Sequence, residues 1–154
     1  READVGTVEL VDLIGLAAEE CARVDADLDV TAVPEGLEVR GVAKLLRRAL
    51  RNLLENARRY SQGDITVVLQ RHDGQAQLSV LDRGPGVPPA LRERIFEPFY
   101  RLPGASERAG GVGLGLALVR SIAQRHNGSV RCEDQPDGSG GACFVLRLPL
   151  ALTK

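Results

Sequence analysis

Two asparagines stand one helical turn apart in the stretch Leu45 to Ser61, L-L-R-R-A-L-R-N-L-L-E-N-A-R-R-Y-S. The four-residue spacing puts Asn52 and Asn56 on one edge of a helix, beside its apolar stripe. Asparagine is a mediocre helix former, and a carboxamide near a core must find partners; neighbouring backbone or water could supply them. A second group is Asp82-Arg83-Gly84-Pro85-Gly86-Val87. A strand leading into Asp82 would fix the carboxylate, and the glycines would let the backbone turn and approach a ligand closely. A carboxylate only accepts hydrogen bonds, so it would select an amino group such as adenine N6 over a carbonyl oxygen. In isolation a plain D-x-G turn, a common motif, is the better reading. The third group is Ala109-Gly110-Gly111-Val112-Gly113-Leu114-Gly115-Leu116. A glycine loop opening into a helix makes an anion site from free N–H groups and the helix dipole, or else a flexible hinge. Its G-x-G-x-G spacing matches neither the P-loop nor the dinucleotide fingerprint, and no protein-kinase motif accompanies it.

These groups need elements to hold them. Leu46, Leu50, Leu53 and Ala57 recur at spacings of three and four, which predicts an amphipathic helix lying on a sheet. Upstream, Val5 to Leu13 reads as a strand, Asp12 as the cap of a helix over Leu13 to Val24, and Leu28, Val30 and Ala32 as a strand. Pro34-Glu35-Gly36 reads as a turn before a strand at Leu37 to Arg40. Ile65 to Arg71 and Gln75 to Leu81 form a hairpin across His72-Asp73-Gly74. A short helical turn follows at Leu91 to Phe96, then a mobile loop from Glu97 to Gly111. Gly113 to His126 is a helix ended by Asn127-Gly128, and Ser129 to Cys132 pairs with Ala142 to Leu148 across Pro136 to Gly141. The order gives an α+β class: a two-layer sandwich of one mixed, mostly antiparallel sheet with helices on one face, in a single domain over residues 1–154.

Composition agrees with a globular domain: 154 residues, 44% hydrophobic and 27% charged. A net charge of −1 argues against a nucleic-acid partner, and no apolar run is long enough to span a bilayer. The chain opens on Arg1 without a methionine, as a segment of a longer protein would. Cys21, Cys132 and Cys143 share no metal-site spacing and read as core residues in a reducing compartment.

Four stretches in order, N-L-L-E-N-A-R-R-Y-S, D-R-G-P-G-V, I-F-E-P-F-Y-R and G-G-V-G-L-G-L-A-L-V, resemble the boxes of the catalytic ATP-binding domain of bacterial two-component sensor histidine kinases. The closing G-G-A-C-F-V-L-R-L-P is similar to that family's last strand, and the likeness spans Leu45 to Pro149. It implies the Bergerat fold, with ATP and Mg²⁺ as ligands. By that resemblance Asn56 would ligate Mg²⁺ and Asn52 would orient water or phosphate beside it. Arg59 would face the phosphates and Tyr60 would border the nucleotide. Asp82 would hold the adenine amino group over a floor shaped by Gly84, Gly86 and Val87. Phe96 and Phe99 would anchor a lid, with Arg101 available to the phosphates. Gly111, Val112, Gly113, Leu114, Gly115 and Leu116 would form the lid hinge and the phosphate-facing helix start; Val112 stands where a hydroxyl residue is common in the family.

The resemblance further implies phosphoryl transfer to a histidine on a separate dimerisation domain, then to a response regulator. Neither His72 nor His126 has the acceptor's context, so this chain would be the ATP-binding half: a monomer without direct membrane contact, the cytoplasmic part of a homodimeric inner-membrane sensor in a bacterium. Asn52 occupies the position where hydrolysing relatives usually carry a catalytic glutamate. The alternative on the same fold is a serine kinase acting on a sigma-factor antagonist.

Overall fold

The computed structural model describes residues 6–61, 63–100, 115–135, 138 and 140–151. Strand β1 (Val8–Asp12) leads into helix α1 (Leu13–Val24), and the Asp12 carboxylate caps it by accepting from the Gly15 N–H at 3.2 Å. Strand β2 (Asp27–Asp29) and strand β3 (Glu38–Val42) precede helix α2 (Ala43–Tyr60). The hairpin β4 (Thr66–His72) and β5 (Gln75–Leu81) follows, then single turns of 3-10 helix at Pro89–Leu91 and Arg94–Phe96. Helix α3 (Gly115–Arg125) and strands β6 (Ser129–Asp134) and β7 (Ala142–Pro149) complete the described order.

Five strands form the main sheet in the order β2-β4-β5-β7-β6, with only the β2–β4 pair parallel. This is the mixed, mostly antiparallel sheet expected. Beyond that expectation, β1 and β3 pair in a separate antiparallel ribbon, joined to the end of β7 by a bridge between Val39 and Leu150. One face of the main sheet, including Val67, Leu69, Leu78, Val80, Phe144 and Leu146, shares a core with Leu46, Leu50, Leu53 and Ala57 of α2 and with Val119 and Ile122 of α3. Alternation in the strands and helical spacing in α2 and α3 thus meet in one two-layer core.

Several boundaries differ from the sequence reading, each for a local reason. Strand β2 stops at Asp29 because its carboxylate accepts from both the N–H and the hydroxyl of Thr31, turning the chain before Val30 and Ala32 can extend. His72 is the last residue of β4 and exposed, and the turn itself is Asp73-Gly74, both at positive φ. Helix α3 ends at Arg125, so His126 lies just beyond it.

Helix α1 is clasped to α2 by a buried acid. Glu20 is 1% exposed, and its carboxylate accepts from Arg51 Nε and Nη2, both at 2.9 Å, and from Arg47 Nη1 at 3.1 Å. These hydrogen bonds, that of Arg51 foremost, hold its carboxyl below the usual range. The start of α2 has no side-chain cap of its own, since Val42 occupies the cap position. His126 supplies the partner: Nε2 accepts from the Val42 N–H at 3.1 Å, and Nδ1–H donates to the Ile122 carbonyl at 2.8 Å. All three cysteines are buried and free.

Candidate functional site

Helix α2 is the spine of the site because its apolar stripe is driven into the core. That leaves Asn52 and Asn56 half-buried on the stripe's edge. Asn52 Nδ2 donates to the carbonyl of Gly115, the first residue of α3, at 3.3 Å. The Asn56 side chain has no hydrogen-bond partner among the described residues, so none of them claims its carboxamide oxygen. Arg59 is exposed and likewise without an ion pair among the described residues, whereas Arg58 is tied to the carbonyls of Val24 and Gly63 at 2.9 and 3.1 Å.

The far end of α2 braces the loop after β5. Tyr60 is half-buried, and its main-chain oxygen lies against Gly84, where a Cβ would come within 2.5 Å of it. Ser61 is buried, and its hydroxyl oxygen accepts from the N–H groups of Arg83 at 3.2 Å and Gly63 at 3.3 Å. Gly86 has φ +79, a conformation side chains rarely adopt, and a Cβ there would collide with the main-chain oxygen of Gly140. Asp82 is 3% exposed, and Oδ1 accepts from the N–H of Gly84 at 2.9 Å and of Ala142 at 3.0 Å. Among the described residues no donor reaches Oδ2. A buried carboxylate with one oxygen locked and the other unclaimed is shaped to receive a donor. Val87 is buried, and its carbonyl accepts from Arg92 Nε at 2.9 Å, while Arg92 Nη2 pairs with Asp134.

Of the two phenylalanines named from sequence, Phe96 is 2% exposed and packs edge-on against Phe144, ring centroids 6.2 Å apart, with the Arg120 guanidinium over its face. It fixes the second 3-10 turn to α3 and the sheet. Phe99 is 69% exposed with φ 67, uncommon for a bulky residue. Gly115 and Leu116 open α3, with Leu116 packed against the core. Arg101, Gly111, Val112, Gly113 and Leu114 lie outside the described residues.

The structure therefore brings the asparagine edge, the Asp82 loop and the start of α3 onto the same helix. Sequence reasoning missed Ser61, Arg92 and Gln135. Ser61 carried one weak signal, a small polar residue closing an amphipathic helix. Gln135 carried none, since its partner is a main-chain oxygen 53 residues away.

Residues 41–152 match the family model described as histidine kinase-, DNA gyrase B- and HSP90-like ATPase. The sensor-like histidine kinase SenX3 of Mycolicibacterium smegmatis is 36% identical over 151 residues, covering 92% of this chain and 39% of its own length. The sensor histidine kinase CpxA of Escherichia coli K12 is 40% identical over 140 residues, 90% of this chain and 30% of its own length. The chain thus spans well under half the length of these curated relatives. Among solved structures, a mycobacterial sensor histidine kinase MprB superposes with a TM-score of 0.79 at 32% identity, covering 96% of this chain and all of its own. The ATP-binding domain of PrrB from Mycobacterium tuberculosis gives 0.73 at 30% identity, covering 94% and 98%.

Proposed function

Since the chain belongs to the histidine kinase-, DNA gyrase B- and HSP90-like ATPase family, we propose that it binds Mg·ATP along α2 and donates the γ-phosphoryl group to a histidine of a separate dimerisation domain. The observation that carries this reading is the buried Asp82 carboxylate, with one oxygen held by two main-chain N–H groups and the other without a donor among the described residues. It is the acceptor a purine amino group requires. Gly84 and Gly86 have no room for a Cβ, so the loop that carries Asp82 packs tightly against the main chain of Tyr60 and Gly140.

The donor set fits the ligand. Asn56 would offer its carboxamide oxygen to Mg²⁺, a hard ion that keeps several waters and leans on phosphate oxygens. Bound there, Mg²⁺ would neutralise charge on the transferring phosphoryl group. Arg59, exposed near the end of α2, would face the phosphates. Asn52 holds the first residue of α3 in place through the Gly115 carbonyl. Transfer to an imidazole needs no general base from this side, because the acceptor nitrogen is itself the nucleophile. The bond between the γ-phosphorus and the β–γ bridging oxygen breaks, a nitrogen–phosphorus bond forms, and ADP leaves.

The proposal includes two partners, as the family likeness implies: a dimerising helical domain bearing the histidine, and a response regulator that takes the phosphoryl group onwards. No helix among the described residues is long and apolar enough to cross a membrane; placement on the cytoplasmic side of a membrane-anchored bacterial homodimer is part of the proposal. Calorimetric titration with ATP and GTP, with and without Mg²⁺, tests the pocket. Preference for ATP that strengthens with Mg²⁺ is expected; equal affinity for both bases would refute the assignment of Asp82.

A further inference from the structure

Asp82 is held by more than its neighbours in the loop. It lies one residue past the end of β5, opposite Ala142 at the start of β7. Its N–H donates to the Ala142 carbonyl at 3.0 Å, and its Oδ1 accepts from the Ala142 N–H at 3.0 Å. With the side chain taking the donor that a β-ladder would give the main chain, the Asp82 carbonyl needs another partner. Gln135 provides it: the side chain is buried, at 6% exposure, and Nε2 donates to that carbonyl at 2.7 Å. Gln135 is itself fixed at both main-chain ends, its N–H to the Gly141 carbonyl and its carbonyl to the Gly138 N–H, each at 3.1 Å. Gly141 presses on the Asp82 carbonyl so closely that no Cβ fits between them.

We infer that Gln135 is a positioning residue for base recognition, a reading that rests on the assignment of Asp82 to the adenine amino group. Holding the carbonyl fixes the Asp82 peptide planes, and with them the direction of the carboxylate. It also removes the residue's other acceptor from competition, so the unclaimed oxygen is the one presented to an incoming N–H donor. The turn between β6 and β7, far from the asparagines in sequence, thereby becomes part of the specificity machinery.

The test compares ATP with purine riboside triphosphate, which is ATP without the exocyclic amino group, by calorimetry in the presence of Mg²⁺. A hydrogen bond to an ionised acceptor should give the wild-type chain a preference for ATP of about tenfold or more. Gln135→Met keeps the length with no polar group at all, and Gln135→Glu keeps the side-chain size but cannot donate once its carboxyl is ionised. Both should compress the preference to about twofold while leaving the affinity for purine riboside triphosphate unchanged. In the Asp82→Asn background neither should lower it further, since the two residues act through one contact. Thermal melting follows each variant, and Gln135→Met serves if Gln135→Glu fails to fold. If the folded variants retain the wild-type ratio, including by weakening both nucleotides in parallel, Gln135 is only structural and the inference fails. A wild-type chain that binds both nucleotides equally overturns the adenine assignment, and this inference with it.

Discussion

At the scale of single residues the site divides into groups facing outward and groups facing the chain itself. Asn56→Ala should abolish the Mg²⁺ dependence of ATP binding, measured as the change in affinity on adding the metal; an undiminished metal effect would move the ligand elsewhere. Asp82→Asn replaces an acceptor with a carboxamide that offers N–H, and should weaken ATP by about tenfold or more while GTP is barely affected. Gly84→Ala brings a methyl group to 2.5 Å from the Tyr60 oxygen and should weaken nucleotide binding through a shifted loop. Burial pushes the Cys21 and Cys143 thiols up to about 11 and Cys132 to about 12, so all three should resist a thiol reagent at neutral pH until the chain is unfolded. Asn52, Asn56 and Asp82 could be singled out beforehand, through the likeness of four ordered stretches to a known family more than through any one spacing. Ser61 and Gln135 could not, because what they bond is main chain 22 and 53 residues away, and main chain leaves no mark on the sequence.

Elements place those residues, and their own supports lie elsewhere. The Glu20 clasp fixes α1 against the helix that carries both asparagines. Its arginines keep partial contact with water, so Glu20→Gln should destabilise the chain by a modest amount, about 1–2 kcal/mol in urea titration. Because the folded carboxyl sits below its ordinary 4.5, the clasp's contribution is complete above that pH and fades as pH falls through the lower folded value. Glu20→Gln should therefore flatten acid unfolding of the wild type in that window. Phe96→Ala should cost about 3–5 kcal/mol through the lost packing on Phe144. Helices α2 and α3 and the β4–β5 hairpin could be read from period and turn chemistry. The β1–β3 ribbon could not, since nothing local tells two short strands that they pair with each other instead of joining the main sheet.

For the molecule as a whole, the expected behaviour is that of a phosphoryl donor awaiting an acceptor. Mixed with a separately expressed histidine-bearing domain and radiolabelled ATP, the chain should yield an acid-labile, base-stable phosphoprotein; an acid-stable phosphoserine would defeat the proposal. The bond between His126 and Val42 bears on how such a chain is made. The amide at the head of α2 waits for a ring encoded 84 positions later. At ordinary synthesis rates of about 5–20 residues per second, that amide is made roughly 4–17 s before its partner is. A nascent chain stalled short of His126 should therefore expose α2 to protease, and release past that point should protect it, so that the nucleotide site matures only after this ring has emerged.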